Sequence, residues 1–126
     1  AWELRETSGN PAVATAPGPG VIQSLSLLCF RGVPVAAFSL RAAPPPGKTI
    51  VTFSFSGGRV DLGIAPQQGG GRNLYYGDLR GTLLPRLLAG SDSQVPIRIN
   101  GGQQGTLSLA GSSSVVRQAL ADCYRF

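Results

Sequence analysis

Ile50-Val51-Thr52-Phe53-Ser54-Phe55-Ser56-Gly57-Gly58-Arg59-Val60-Asp61-Leu62-Gly63-Ile64 is the stretch on which the fold assignment depends. Apolar residues recur at every second position on both sides of a Gly-Gly step, the period of a strand with one buried face. Counting outward from Gly57-Gly58 pairs Phe55 with Val60, Phe53 with Leu62 and Val51 with Ile64 on one face. Thr52, Ser54, Asp61 and Gly63 take the other. A one-residue slip would turn every apolar side chain toward water, so the pattern specifies a β-hairpin laid on a core.

The same period extends in both directions. Upstream, Ser24–Phe30 and Val35–Leu40 read as a second hairpin turning at Arg31-Gly32, with Leu27 opposite Ala36 and Leu25 opposite Phe38. Trp2–Arg5 opens the chain as a strand, and a short extended piece at Val13–Thr15 interrupts a Gly/Pro-rich loop. Pro44-Pro45-Pro46 forms a stiff connector, too short to divide two domains. Downstream, Asp78–Leu88 carries leucines at helical spacing with Asp78 as N-cap. Pro85 and Gly81 make that helix short or kinked. Val95–Ile99 and Gly105–Leu109 form a third strand pair around Asn100-Gly101-Gly102, Leu107 and Leu109 matching Ile97 and Ile99. Ser112–Tyr124 is amphipathic, with Val115, Val116, Ala119, Leu120 and Cys123 as its stripe and Ser112 or Ser113 as cap. The expectation is one α+β domain over residues 1–126. It is mainly antiparallel and sandwich-like, with six or more short strands, one short helix near 78–89 and a C-terminal helix near 112–124.

Composition limits the chemistry. The chain has 126 residues with 18 glycines, 10 prolines, 2 cysteines and no histidine or methionine, which removes every imidazole-based mechanism and histidine metal site. The net charge is +5. The basic residues stand singly, without the run expected of a nucleic-acid patch, so no specific nucleic-acid partner is expected. The charge still permits weak attraction to polyanions such as anionic lipid. No 18-residue apolar stretch marks a transmembrane segment. That, with a start at Ala1, suits an exported domain whose signal peptide has been removed, and equally a trimmed chain. Cys29 and Cys123 favour export: without a C-x-x-C spacing or other metal ligands, a structural disulfide is the economical reading, two free buried thiols the alternative.

Signatures for catalysis or cofactors are missing, so neither a metal nor a cofactor is expected. Glu3, Glu6, Asp61, Asp78, Asp92 and Asp122 do not group in sequence; a small hydrolase using Asp61 or Asp78 is the enzymatic alternative. The most suggestive surface cluster is Tyr75-Tyr76 flanked by Arg72 and Arg80, next to Gly69-Gly70-Gly71. Aromatic rings beside guanidinium groups stack on sugars, bases or a partner protein. The plain alternative packs one tyrosine under the leucine-rich helix and lets the other cover it.

A further signal comes from the order Leu87-Leu88-Ala89-Gly90, strand Val95–Ile99, strand Thr106–Leu109, Gly111-Ser112-Ser113 and the closing Val116, Ala119, Leu120 and Cys123. With the upstream Leu27-Leu28-Cys29, it resembles small exported bacterial proteins of the invasion-associated locus B type. It is also similar to accessory periplasmic proteins of type VI secretion. The resemblance covers residues 24–30 and 79–124. It implies a secreted or periplasmic β-rich module without catalytic residues, its strand thiol bonded to the terminal one, acting through a protein partner or a cell-envelope component. An accessory subunit of a larger membrane-bound complex is the neighbouring possibility.

Overall fold

The structure is a computed structural model and describes residues 1–69, 71 and 73–126. Among these, nine strands and two helices follow one another: β1 (Glu3–Arg5), β2 (Val13–Pro17), β3 (Ile22–Phe30), β4 (Val33–Leu40), β5 (Thr49–Phe55), β6 (Gly58–Pro66), β7 (Leu74–Asp78), α1 (Leu84–Leu88), β8 (Gln94–Ile99), β9 (Gly102–Ser108) and α2 (Ser112–Leu120). The expected class holds: a mainly antiparallel α+β fold with two short helices.

The strands lie in the order β1-β2-β3-β4-β7-β6-β5-β8-β9, every pair antiparallel. The β6–β7 junction is narrow, only Ala65 facing Tyr76 and Pro66 facing Tyr75. The sheet therefore divides there into two wings that curl over one core. Trp2 ties the outermost strands together: its main-chain N–H donates to Ala110 O at 3.0 Å and its indole Nε1 to Ser108 O at 2.8 Å. Farther along, Val21 N donates to Gln104 Oε1 at 2.9 Å. Phe38, Phe53, Leu25, Leu27, Leu79, Leu84, Leu88, Ile97, Leu107 and Leu120 are sealed inside. Such wholly buried side chains supply most of the folding free energy, about 1.5–3 kcal/mol each.

The Ser24–Leu40 hairpin has the expected register, Leu25 opposite Phe38 and Leu27 opposite Ala36. The Ile50–Ile64 hairpin differs: Phe53 faces Val60, Val51 faces Leu62, and Phe55 faces Gly58. The two-residue loop is Ser56-Gly57, not Gly57-Gly58, which shifts the pairing by two and leaves every side chain on its expected face. Asp92 holds this loop, accepting from Ser56 N at 2.8 Å and from Ser56 Oγ at 2.5 Å. The Ser56 hydroxyl and then its N–H keep the Asp92 carboxyl below the usual carboxylate range. A depressed folded-state pKa adds stability above the unfolded pKa of about 4, and that contribution disappears as pH falls through the folded value. Asp92→Asn is therefore expected to flatten the acid limb of stability against pH, measured by urea unfolding across that range.

In the third strand pair Leu107 faces Val95 and Gly105 faces Ile97, with an irregularity between Ile97 and Arg98. Leu107 is thus displaced from its expected partner, and Leu109 lies beyond the end of β9, because the chain turns tightly at Asn100-Gly101 and Gly102 already pairs with Ile99.

The helix expected near 78–89 is shorter. Asp78 ends β7 and caps no helix; α1 begins at Leu84, with Pro85 in its first turn, where a missing N–H costs nothing. Gly81, at φ +72°, turns the chain between the two elements. The C-terminal helix ends at Leu120, and Ser112 and Ser113 make no side-chain cap on it. Instead the buried Ser112 hydroxyl donates to Leu88 O at 2.6 Å and clamps α2 to α1. α2 packs against β1, β2 and β3. Just beyond it Cys123 is bonded to Cys29, S–S 2.08 Å, Cα–Cα 5.8 Å.

Candidate functional site

The expected site is split by strand geometry. Tyr75 and Tyr76 lie side by side on β7, and successive side chains of a strand point to opposite faces. Tyr75 pairs with Phe38 and packs against the core. Tyr76 pairs with Ala37 on the outer face, where its ring meets Phe30 edge-on at a centroid distance of 6.1 Å. Arg72 lies outside the described residues. Arg80 is turned onto Asp78: Nη2 reaches Oδ2 at 2.6 Å, and Nε and the main-chain N–H also donate to the carboxylate. The Arg80 side chain, then its backbone N–H, holds the Asp78 carboxyl below its usual range, and Asp78 in turn raises Arg80. Both groups are largely solvent-exposed, so the pair adds little stability.

What the fold assembles around Tyr76 is an apolar strip. On β3 and β4 the register carries Leu28 opposite Val35 and Phe30 opposite Val33 outward, with Ala37 beside Tyr76. Val13 on β2 stands one residue beyond the Ala14–Leu27 pair, on the same outer face. None of these side chains belongs to the core. Val35 is nonetheless only 7% exposed, shielded by its outer-face neighbours. The strip grades into hydroxyl groups, Ser26 Oγ donating to Thr15 Oγ1 at 2.9 Å. It ends at the tight β3–β4 turn, where Arg31, at φ +51°, lays its guanidinium 5.2 Å from the Phe30 ring centre. On the far side of Tyr76 a groove of about 360 Å³ crosses β6 toward Lys48 and Asp61. An outer face that is apolar at its centre and polar or charged at its rim has the anatomy of a protein-binding surface.

Those residues carried a signal. Leu27-Leu28-Cys29-Phe30 and Val33-Pro34-Val35-Ala36-Ala37-Phe38 do not alternate; both strands are apolar on both faces. One face fills the core and leaves the other in need of an explanation.

The two carboxylates considered for hydrolysis are both engaged. Asp61 lies 3.3 Å from Arg59 and accepts from Thr52 Oγ1 at 2.7 Å, while Asp78 is held by Arg80. Among the described residues no group of three or more His, Cys, Asp or Glu could hold a metal ion. Nor, among them, is any helix long and apolar enough to cross a membrane.

Fold and site together define a disulfide-bonded, mainly antiparallel α+β protein with an unpaired apolar outer face. No family model, curated protein or solved structure matches the chain.

Proposed function

We propose that this chain is a non-enzymatic periplasmic or secreted binding module that grips a protein partner through the outer face of β3, β4 and β7. The observation that carries the reading is the strip of Leu28, Phe30, Val33, Ala37 and Tyr76, which the core does not use. Tyrosine and phenylalanine supply large contact areas at low entropic cost, and arginine at the edge adds direction; both residue types recur at the energetic centres of interfaces. The Cys29–Cys123 bond supports an oxidising compartment. Kinship with the invasion-associated locus B or type VI accessory proteins belongs to the same proposal and rests on the residues that carry the resemblance. Of the residues expected to form the site, Tyr76 is the central contact, Arg80 a rim residue and Tyr75 a support of the strand from beneath, while Arg72 lies outside the described residues.

The test is recovery from the native envelope fraction by the oxidised protein, followed by affinity measurement with the purified partner. Tyr76→Ala with Leu28→Ser is expected to weaken binding about thirtyfold, the effect of losing about 2 kcal/mol at an interface centre. Thermal unfolding should barely move, because neither side chain enters the core. Unchanged affinity in the double variant would overturn the assignment.

A further inference from the structure

The end of the molecule at which Cys29 meets Cys123 gathers positive charge. Arg80, Arg86 and Arg125 line a groove of about 400 Å³ together with Pro34, Thr82 and Leu83. Arg31 stands three residues before Pro34, and Arg117 stacks on the Phe126 ring at 5.1 Å. Among the described residues only Arg80 of these five has a carboxylate partner, Asp78. Arg86 instead donates from Nη2 to the main-chain oxygen of Arg125 at 3.0 Å, which fixes its position and leaves its charge uncancelled.

A second observation falls at the same place. The exposed large apolar side chains among the described residues are Phe30, at 36%, and Leu83, at 56%. Leu83 lines the arginine groove, and Phe30 sits between Cys29 and Arg31. Leu83 occupies the N-cap position of α1, where its carbonyl accepts from Leu87 N at 2.9 Å but its side chain has no oxygen to cap the helix, and much of its surface meets water. Neither burial nor capping accounts for a leucine there.

Guanidinium groups around protruding apolar tips match a bilayer surface. The tips enter the boundary between head groups and acyl chains, while the arginines meet phosphate oxygens with paired N–H donors. A purely ionic ligand would make no use of Leu83. We propose that this end of the protein docks on a membrane surface bearing anionic phosphate head groups, with Leu83 and Phe30 in the interface and Arg31, Arg86 and Arg125 on the phosphates. The site extends beyond the protein-binding strip and meets it at Phe30, Arg31 and Arg80, whereas Leu83, Arg86 and Arg125 belong to it alone.

The experiment is co-sedimentation of the full oxidised chain with vesicles of phosphatidylcholine alone and of equal parts phosphatidylcholine and phosphatidylglycerol. Binding is expected to the second only and to weaken with added salt. Arg86→Gln with Arg125→Gln should weaken it about twenty-five-fold, about fivefold for each charge removed near the surface. Arg86→Lys with Arg125→Lys should restore most of it. Leu83→Ser should weaken binding about tenfold without changing the salt dependence. Equal binding to both vesicles, binding to neither, unchanged binding in the glutamine variant, or saturation of the site by inorganic phosphate at the vesicle affinity would each overturn the proposal. Should the glutamine variant fail to fold, Leu83→Ser and Arg31→Gln decide the matter alone. Tyr76→Ala with Leu28→Ser is expected to keep vesicle binding, so failure of this site and failure of the protein-binding strip are read separately.

Discussion

Replacing Cys29 and Cys123 together by alanine is expected to lower the free energy of unfolding by about 4–5 kcal/mol. The bond spans a sequence separation of 94, and closing a loop of that length removes about that much chain entropy from the unfolded state. Against a total of about 5–15 kcal/mol for a domain of this kind, the loss is about a third or more of the stability, and at the lower end of that range it is nearly all of it. Because the effect acts mainly on the unfolded chain, far-UV circular dichroism of the surviving folded fraction should be unchanged while the urea midpoint falls steeply. A loss below about 1 kcal/mol would mean that α2 and its packing hold the terminal segment without help from the bond. The same variant tests the proposed compartment: a loss of this size would support an oxidising location, and a negligible loss would remove that support.

Trp2→Ala is the second large effect, expected at about 3–5 kcal/mol. Trp2 is only 5% exposed, and its indole and main-chain N–H groups bond to Ser108 and Ala110, more than a hundred residues away. Truncation leaves a cavity and at the same time strands the Ser108 carbonyl, a loss beyond the transfer term. β1 has only three residues, pairs with β2 alone and is otherwise covered by α2, so the Trp2 anchor is a large part of what holds it. Trp2→Phe separates the contributions. It keeps most of the apolar filling and loses the indole donor, so it should fall between wild type and alanine in chemical unfolding. Hydrogen exchange of the β1 and β2 amides should rise in both variants, more in alanine. Amides in β5 and β6 should keep their relative protection until global unfolding.

The alternating stretches disclosed most of the architecture. Face assignment survived even where pairing moved, because a shift by two preserves parity, as in Phe53 facing Val60. The choice between Gly57-Gly58 and Ser56-Gly57 as the turn depends on Asp92, thirty-six residues from Ser56, whose hydrogen bonds no local pattern reveals. β7 escaped for a similar reason. Leu74-Tyr75-Tyr76-Gly77-Asp78 has no clean period and runs into leucines spaced as a helix. Its glycine is there because β7 passes close over β6: a Cβ on Gly77 would lie 2.8 Å from Leu62 Cδ2. That crowding exists only once both wings have come together. The tyrosine pair was visible, but its division into an inner and an outer ring followed from the strand that was missed. The outer strip itself was written in β3 and β4, where apolar residues fill both parities.

The tie between Trp2 and the segment around Ala110 has a bearing on how the protein is made. Until residue 94 and its successors have left the ribosome or the translocation pore, β5 has a neighbour on one side only, and the Trp2 indole has no acceptor. A nascent chain at that stage is an open half-shell with raw edges and bare leucines, the kind of species that sticks to its own kind. Closure of the sheet waits for β8, β9 and the segment around Ala110, and the strands made before them stay open to self-association until those residues emerge.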